Sequence, residues 1–151
     1  MDSNQGRQAH PKFSVFQIMT SSPVTITPET TAEEASQIMH KRRIHHLPVM
    51  EKQASKGEKM VGMVARGDLQ RVMSAFVGSK IETNRDRQTL NIPVKLFMSK
   101  AVFTLPPDAG IRECADLLLH KQFNSAPIVD PETGKVVGIV TSSDLLQFLH
   151  E

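Results

Sequence analysis

The chain has 151 residues, with 18 basic and 16 acidic side chains and a formal net charge of +2 at neutral pH. So small a net charge does not predict a nucleic-acid-binding protein, which normally carries a clustered basic excess. The single cysteine, Cys114, excludes an internal disulfide and a zinc site built from cysteines.

The compartment is predicted from sequence signals that are missing. No apolar stretch approaches the ~20 residues of a membrane span, and the first residues do not resemble a signal peptide. We therefore expect a cytoplasmic protein without a membrane partner. Residues 1–12 are polar and are predicted to form a disordered tail.

Residues 13–77 contain a series of predicted elements that begins with an extended segment at 24–26, ended by Pro28. A helix follows, because Thr31 to Glu34 has the pattern of a capping box. Its apolar face consists of Ala32, Ala35, Ile38 and Met39. Strands are predicted at 47–50 and 60–64, joined by a turn that holds Ser55, Lys56 and Gly57. A second helix has apolar residues at helical spacing: Leu69, Val72, Met73, Phe76 and Val77.

Residues 78–93 are polar and predict an exposed linker. Residues 94–151 then give the same order of elements, beginning with an extended segment at 103–105 and Pro107. The apolar face of the next helix is formed by Ile111, Cys114, Ala115, Leu117 and Leu118. Strands at 126–129 and 136–140 flank the turn Pro131-Glu132-Thr133-Gly134. The last helix has apolar positions at Leu145, Phe148 and Leu149.

The second half of the chain is a copy of the first. At a shift of 79 positions, Met19, Thr25, Pro28, Glu34 and Pro48 coincide with Met98, Thr104, Pro107, Glu113 and Pro127. At a shift of 76, Gly62, Val64, Asp68 and Leu69 coincide with Gly138, Val140, Asp144 and Leu145. The first copy is therefore expected to have a hairpin loop three residues longer. Each copy is short for an independent core, so we expect pseudo-twofold packing around a central cleft.

The repeated order of strand, helix, strand, strand, helix resembles the CBS-domain family. The segment Gly138-Ile139-Val140-Thr141-Ser142-Ser143-Asp144 is similar to the Gly-x-x-Thr-x-x-Asp signature of that family. The Pro-containing segments before the middle strands, 44–49 and 123–128, are similar to its corresponding segment. The resemblance implies an α/β (α+β) fold of two tandem β-α-β-β-α repeats.

The resemblance also implies a ligand, namely AMP, ADP, ATP or S-adenosylmethionine, bound between the repeats. In the implied main site Thr141 lies near phosphate and Asp144 binds the ribose hydroxyls. The other implied residues of the main site are Ile139, Asn124, Pro23, Val24, His45, His46 and Pro48. The implied second site has Asp68, Arg66, Met63, Val102, Phe103, Asn124, Ser125 and Pro127. It is expected to be weaker, because Ala65 stands where the signature has Thr.

Elementary chemistry agrees with these implied roles. A carboxylate only accepts hydrogen bonds, so it can hold both hydroxyls of a cis-diol. A Thr hydroxyl and free N–H groups at a helix start suit phosphate. Gly138 permits a close backbone approach, and His45 or His46 could donate a hydrogen bond to phosphate.

Simpler interpretations stay open for the same residues. Thr141 and Asp144 also fit an ordinary helix cap. The basic run Lys41-Arg42-Arg43 fits the end of a helix better than a nucleic-acid patch. A metal site at His45 and His46 is disfavoured, because neighbouring strand residues point to opposite faces.

Three functional hypotheses follow from the sequence. The first is a regulatory or energy-sensing module that binds an adenosine-containing ligand, needs no cofactor and forms a homodimer. The second is a ligand-independent dimerisation or partner-docking module that serves a separate regulated protein. An enzyme is not expected, because we find no nucleophile elbow, no Walker-type loop and no metal-ligand spacing.

Overall fold

The structure is a computed structural model that describes residues 13–54, 57–75, 77–121 and 123–150. The predicted tail at 1–12, Ser55 and Lys56 of the first turn, and Phe76 lie outside the described residues. The strands are β1 (Thr20–Ser21), β2 (His46–Gln53), β3 (Gly57–Ala65), β4 (Ser125–Val129) and β5 (Val136–Thr141). The α-helices are α1 (Ala32–Arg42), α2 (Arg66–Val72), α3 (Asn84–Gln88), α4 (Ile111–Lys121) and α5 (Ser142–His150).

The chain divides into two compact units that do not follow the order of the repeats. The central unit is Val24–Val102. The terminal unit combines the chain up to Pro23 with the chain from Phe103 onward. Each unit has its own helices, sheet and hydrophobic core.

The central unit is built on the antiparallel pair β2–β3, in which His46 lies opposite Ala65 and Pro48 opposite Met63. The first residues of β2 after His46 are continuously buried, as in a strand covered on both faces. Leu47, Val49, Val64 and Val94 are fully buried in its core. Helix α1 begins with the predicted capping box, because Thr31 and Glu34 exchange side-chain and backbone hydrogen bonds.

The terminal unit repeats this plan with a third strand. Its sheet has the order β1-β5-β4, and both pairings are antiparallel. Ser125 lies opposite Thr141, and Pro127 lies opposite Ile139. Both hairpins carry a register shift at the same place, between Val49 and Met50 in β2 and between Ile128 and Val129 in β4. The mixed α+β fold and the duplication predicted from the sequence are therefore confirmed.

The first segment of each copy, called here its lead-in, packs with the other copy. The lead-in of the first copy forms a 3-10 turn at Val15–Gln17 and packs in the terminal unit, where the Val15 N–H donates to the Ala109 carbonyl at 2.8 Å. The lead-in of the second copy forms the turn Val94–Leu96 and packs in the central unit, where the Val94 N–H donates to Thr30. Each compact unit thus joins the body of one copy to the lead-in of the other.

Four details differ from the sequence-based expectations, two of them in the strands. The extended segments at 24–26 and 103–105 shrink to single parallel bridges, Ile26 to Val49 and Leu105 to Ile128. The three extra residues of the first hairpin extend the strands rather than the loop, since Glu51, Lys52 and Gln53 pair with β3.

The other two differences concern the end of the first copy. Helix α2 ends at Val72 instead of continuing to residue 77, because the next turn leaves to bond elsewhere: Ser74 donates to Thr89 and Asp86. Residues 78–93, predicted as an exposed linker, contain α3 and a turn, and Leu90 is buried.

Candidate functional site

The best-formed candidate site is the start of α5 in the terminal unit. The Thr141 N–H donates to Oδ2 of Asp144 at 2.8 Å, and the Thr141 hydroxyl donates to the same oxygen at 3.1 Å. The Asp144 N–H lies 3.3 Å from the Thr141 hydroxyl oxygen. This reciprocal exchange is a helix cap, so the simpler interpretation is correct as structure. The other carboxylate oxygen, Oδ1, makes no hydrogen bond or ion pair with the described part of the chain and can accept from a ligand.

The cap is surrounded by other residues of the predicted site. Strand pairing places the backbone of Ser125 opposite Thr141, and the carbonyl of Asn124 accepts from the Ser142 N–H at 3.1 Å. Ser125, Pro127 and Ile139 are buried, whereas Asn124 is exposed. Asn124 is therefore a polar side chain at this rim that solvent can reach.

Gly138 has a different role from the one expected. A β-carbon built at residue 138 would collide with the end of the Met19 side chain. It would also lie 3.1 Å from the Met19 Cβ. Gly62 is equivalent in the central unit, where a β-carbon would meet Met98. The space that glycine leaves open is filled by the exchanged lead-in, so the close approach to Gly138 is made by a side chain of the chain itself.

The corresponding position of the central unit lacks half of the cap. Ala65 has no hydroxyl, and only its N–H donates to Oδ2 of Asp68, at 2.7 Å. The second oxygen of Asp68 accepts from the guanidinium of Arg71, one turn further along α2. Arg71 is not among the residues expected from the sequence, although the Asp-to-Arg spacing of three residues is typical of a helical ion pair. Arg66, a residue of the implied second site, is exposed.

The two adjacent histidines have different surroundings. His45 is exposed, and its carbonyl accepts the Arg66 N–H at 2.9 Å. His46 is half-buried at the first position of β2, opposite Ala65. Burial lowers the pKa of His46, and the nearby charge of His45 lowers it further, while Asp68 opposes them. His46 is thus close enough to the first-copy carboxylate to interact with it.

The remaining predicted residues are divided between the units. Pro23 and Phe103 belong to the terminal unit, whereas Val24, Val102, Pro48 and Met63 belong to the central unit. Pro48 and Met63 are cross-strand neighbours, and both are buried. The main and second sites that the resemblance implies each combine residues of both units, and that combination remains a prediction.

A cleft of about 810 Å³ lies in the central unit between the end of α1 and the start of α2. Its described lining is basic at His40, Lys41, Arg43, His45 and Arg66, and apolar at Met39, Ile44, Leu69 and Met73. Arg43 caps α1 in the left-handed conformation, and His40, Lys41 and Arg42 occupy the last turn of that helix. Positive charge there complements the helix dipole, which agrees with the simpler interpretation of the basic run.

Burial also raises the pKa of the single cysteine. Cys114 is buried on α4, and burial, followed by the charges of Asp144 and Glu113, raises its pKa to about 11. Within the described ranges, no cluster of three or more His, Cys, Asp or Glu side chains could hold a metal ion. The helices of those same ranges include none that is long and apolar enough to cross a membrane.

The fold and both carboxylates define a duplicated β-α-β-β-α protein with a helix-capping aspartate in each copy. The family model of the CBS domain matches residues 15–75 and 94–151. The chain belongs to the CBS-domain family as a tandem pair, which confirms the resemblance drawn from the sequence.

Individual relatives differ in length from this chain. A homoserine O-acetyltransferase of Methanosalsum zhilinae is 32% identical over 133 residues, which are 88% of this chain and 23% of that protein. An A-adding tRNA nucleotidyltransferase of Aquifex aeolicus is 26% identical over 96% of this chain and 15% of its own length. The chain thus spans a quarter or less of these curated relatives.

Solved structures of similar size support the fold. The CBS domain pair of protein MJ0100, in complex with 5′-methylthioadenosine and S-adenosyl-L-methionine, superposes with a TM-score of 0.71 at 23% identity, covering 91% of this chain and 95% of that one. The plant protein CBSX2 from Arabidopsis thaliana, in complex with AMP, gives a TM-score of 0.70 at 22% identity, over 91% and 96% of the two chains. At this level of identity the two structures establish the fold and nothing more.

Proposed function

We propose that this CBS pair is a regulatory module that binds an adenosine-containing ligand and carries out no catalysis. The ligand is AMP, ADP, ATP or S-adenosylmethionine, held between the repeats. If it is an adenine nucleotide, the module senses the energy state of the cell. The supporting observation is the free Oδ1 of Asp144 beside a capped helix start, because such an oxygen can accept from a ribose hydroxyl.

The residues around Asp144 supply further support for the proposal. Thr141 positions one carboxylate oxygen and leaves the other available, while the exposed Asn124 side chain offers both a donor and an acceptor. The proposed main site adds Ile139 and Pro23 from the terminal unit, and Val24, His45, His46 and Pro48 from the central unit. The proposed second site is centred on Asp68 and is weaker, because Ala65 provides no hydroxyl.

Fold-level likeness also guides the choice of ligand. Two structural neighbours are complexes with adenosine compounds, one with AMP and the other with S-adenosyl-L-methionine and 5′-methylthioadenosine. We carry that ligand class, and not a particular member of it, to this chain. Fold alone does not fix function, and Asp144 with its surroundings supplies the chemical support for this ligand class.

An apolar surface favours a second candidate function, which is ligand-independent dimerisation or docking of a regulated partner. Leu146 and Leu149 on α5 are 67% and 75% exposed, and Leu119 on α4 is also exposed. A self-complementary helical face of this kind suits a closed twofold homodimer. Dimerisation is compatible with ligand binding, so only the ligand dependence separates the two functions.

The test is calorimetric titration of the pure chain with AMP, ADP, ATP and S-adenosylmethionine in turn. The proposal predicts saturable binding of at least one compound at or below millimolar concentration, without release of phosphate from ATP. Absence of binding by all four, from a chain that sediments as a dimer, would favour the docking function. Steady phosphate release with ATP would contradict the absence of catalysis.

A further inference from the structure

The two copies differ in whether their aspartate has a carboxylate oxygen free to accept a hydrogen bond from a ligand. In the second copy, Asp144 uses Oδ2 for both Thr141 bonds, and its Oδ1 has no partner within the described residues. In the first copy, Asp68 uses Oδ2 for the Ala65 N–H and Oδ1 for the guanidinium of Arg71. The residue equivalent to Arg71 in the second copy is Gln147, at the same shift of 76 positions.

This difference changes what the first-copy carboxylate can do. A carboxylate acts toward hydroxyls only as an acceptor, and both oxygens of Asp68 are already engaged. A ligand that presents a diol must therefore displace the Arg71 guanidinium. The side chain of Arg71 is 72% exposed while that of Asp68 is only 14% exposed, so Arg71 can swing into solvent without disturbing the packed carboxylate.

We propose that Arg71 weakens ligand binding at the first-copy site by holding Asp68. The inference rests on the proposed function, because it assumes that Asp68 and Asp144 each receive ribose hydroxyls. Arg71 competes with the ligand for one oxygen. The first site is consequently the weaker of the two for a reason beyond the missing hydroxyl at Ala65.

The expected size of the effect follows from the exposure of Arg71. An exposed ion pair is a weak competitor, so removing it should tighten binding by about two- to fivefold. Salt screens such a pair. Affinity of the first site for adenosine, which is uncharged, should therefore rise with ionic strength in the native sequence and lose that dependence without Arg71.

The experiment isolates each site with an aspartate variant and titrates it with adenosine at low and high salt. In an Asp144→Ala background, Arg71→Gln should tighten the remaining site about two- to fivefold and abolish its salt dependence. In an Asp68→Ala background, the reciprocal Gln147→Arg should weaken the remaining site by a similar factor. Arg71→Lys is the matched control that keeps the charge and should behave like arginine.

The outcomes separate this inference from the proposed function. If Asp68→Ala and Asp144→Ala each remove one binding event while Arg71→Gln changes neither affinity nor salt dependence, the role of Arg71 is wrong and the sensor function stands. If neither aspartate variant alters adenosine binding, or the native chain binds no adenosine, the role of Arg71 is overturned. The proposed function is overturned as well only if the native chain also binds none of AMP, ADP, ATP and S-adenosylmethionine. Circular dichroism of each variant confirms that the fold is retained before the titration.

Discussion

Thr141 has two roles in this account, as a helix cap and as a ligand-site residue, and they can be separated by a matched variant. Thr141→Ala should lower the free energy of unfolding by about 1 kcal/mol, the usual cost of a lost N-cap, and should also weaken ligand binding. Thr31→Ala removes the equivalent cap of α1 at a similar cost. It should leave binding unchanged, because Thr31 lies outside the proposed site.

Urea denaturation and ligand titration of both variants measure the two effects. Equal loss of stability with unchanged binding in both variants would reduce Thr141 to a cap alone. Loss of binding in the Thr31 variant would instead indicate that stability, and not the site, controls the ligand response.

His46 should make stability depend on pH. Its folded-state pKa lies below the ordinary value because burial disfavours the charged form. The unfolded chain therefore binds more protons as the pH falls through about 6.5, and stability decreases there. The melting temperature should fall between pH 8 and pH 5.5, and His46→Gln should remove part of that fall.

His45→Gln provides the control, since His45 is exposed. It should retain most of the pH dependence. His46 would not be the source of the pH dependence if both substitutions changed the melting temperature equally. A melting temperature that rises on acidification in the native chain would contradict the lowered pKa of His46.

At the scale of elements, the exchanged lead-ins make a specific packing prediction. Gly138→Ala places a methyl group against Met19 and should destabilise the chain by about 1–3 kcal/mol, the range for overpacking. Met19→Ala removes the obstructing Cγ and Sδ atoms and keeps the more distant Cβ. The double variant should therefore be less destabilised than the sum of the two single variants.

Chemical denaturation of the four proteins tests this coupling. Strict additivity of the two substitutions would mean that Met19 and Gly138 do not touch, and that the lead-in of the first copy packs elsewhere. Gly62→Ala with Met98→Ala gives a second comparison in the central unit. The relief there should be smaller, because the Ser99 carbonyl oxygen also lies 3.0 Å from the added β-carbon.

The elements show which features a sequence can reveal. The duplication, both main hairpins and the cap of α1 follow from local patterns at Thr31, Pro48 and Pro127, because those patterns act over a few residues. The lead-in exchange could not be foreseen, since it pairs Val15 with Ala109 and Val94 with Thr30 across distant parts of the chain. Likewise, α2 ends early because Ser74 forms hydrogen bonds with the segment at 86–89. The spacing of apolar residues in a sequence cannot predict such bonds.

Only part of the candidate site could be predicted from the sequence, for similar reasons. Thr141 and Asp144 were found through the repeated signature, and the structure brings them together. The pairing of Arg71 with Asp68 could be predicted from their helical spacing. Its proposed effect on binding emerges only from comparison with the second copy, where the neutral Gln147 occupies the equivalent position. The expected role of Gly138, a close backbone approach to a ligand, could not be corrected from the sequence. The side chain that fills its space is Met19, which belongs to the other copy.

For the whole molecule, we propose two carboxylate sites of unequal strength in one CBS pair. Asp144 has a complete cap and a free oxygen, whereas Asp68 has half a cap and an ion pair. Two independent sites of unequal affinity would make the module respond to ligand over a wider range of concentration than one site could. Dimerisation through the exposed leucines would present the same two sites in each chain.

The central claim is that Asp144 holds the ligand, and calorimetric titration of Asp144→Ala beside Asp68→Ala tests it most directly. With the adenosine compound that binds the native chain most tightly, Asp144→Ala should remove the stronger binding event. Asp68→Ala should retain it and lose only the weaker event. Native affinity in the Asp144→Ala chain, with its fold intact, would contradict the account.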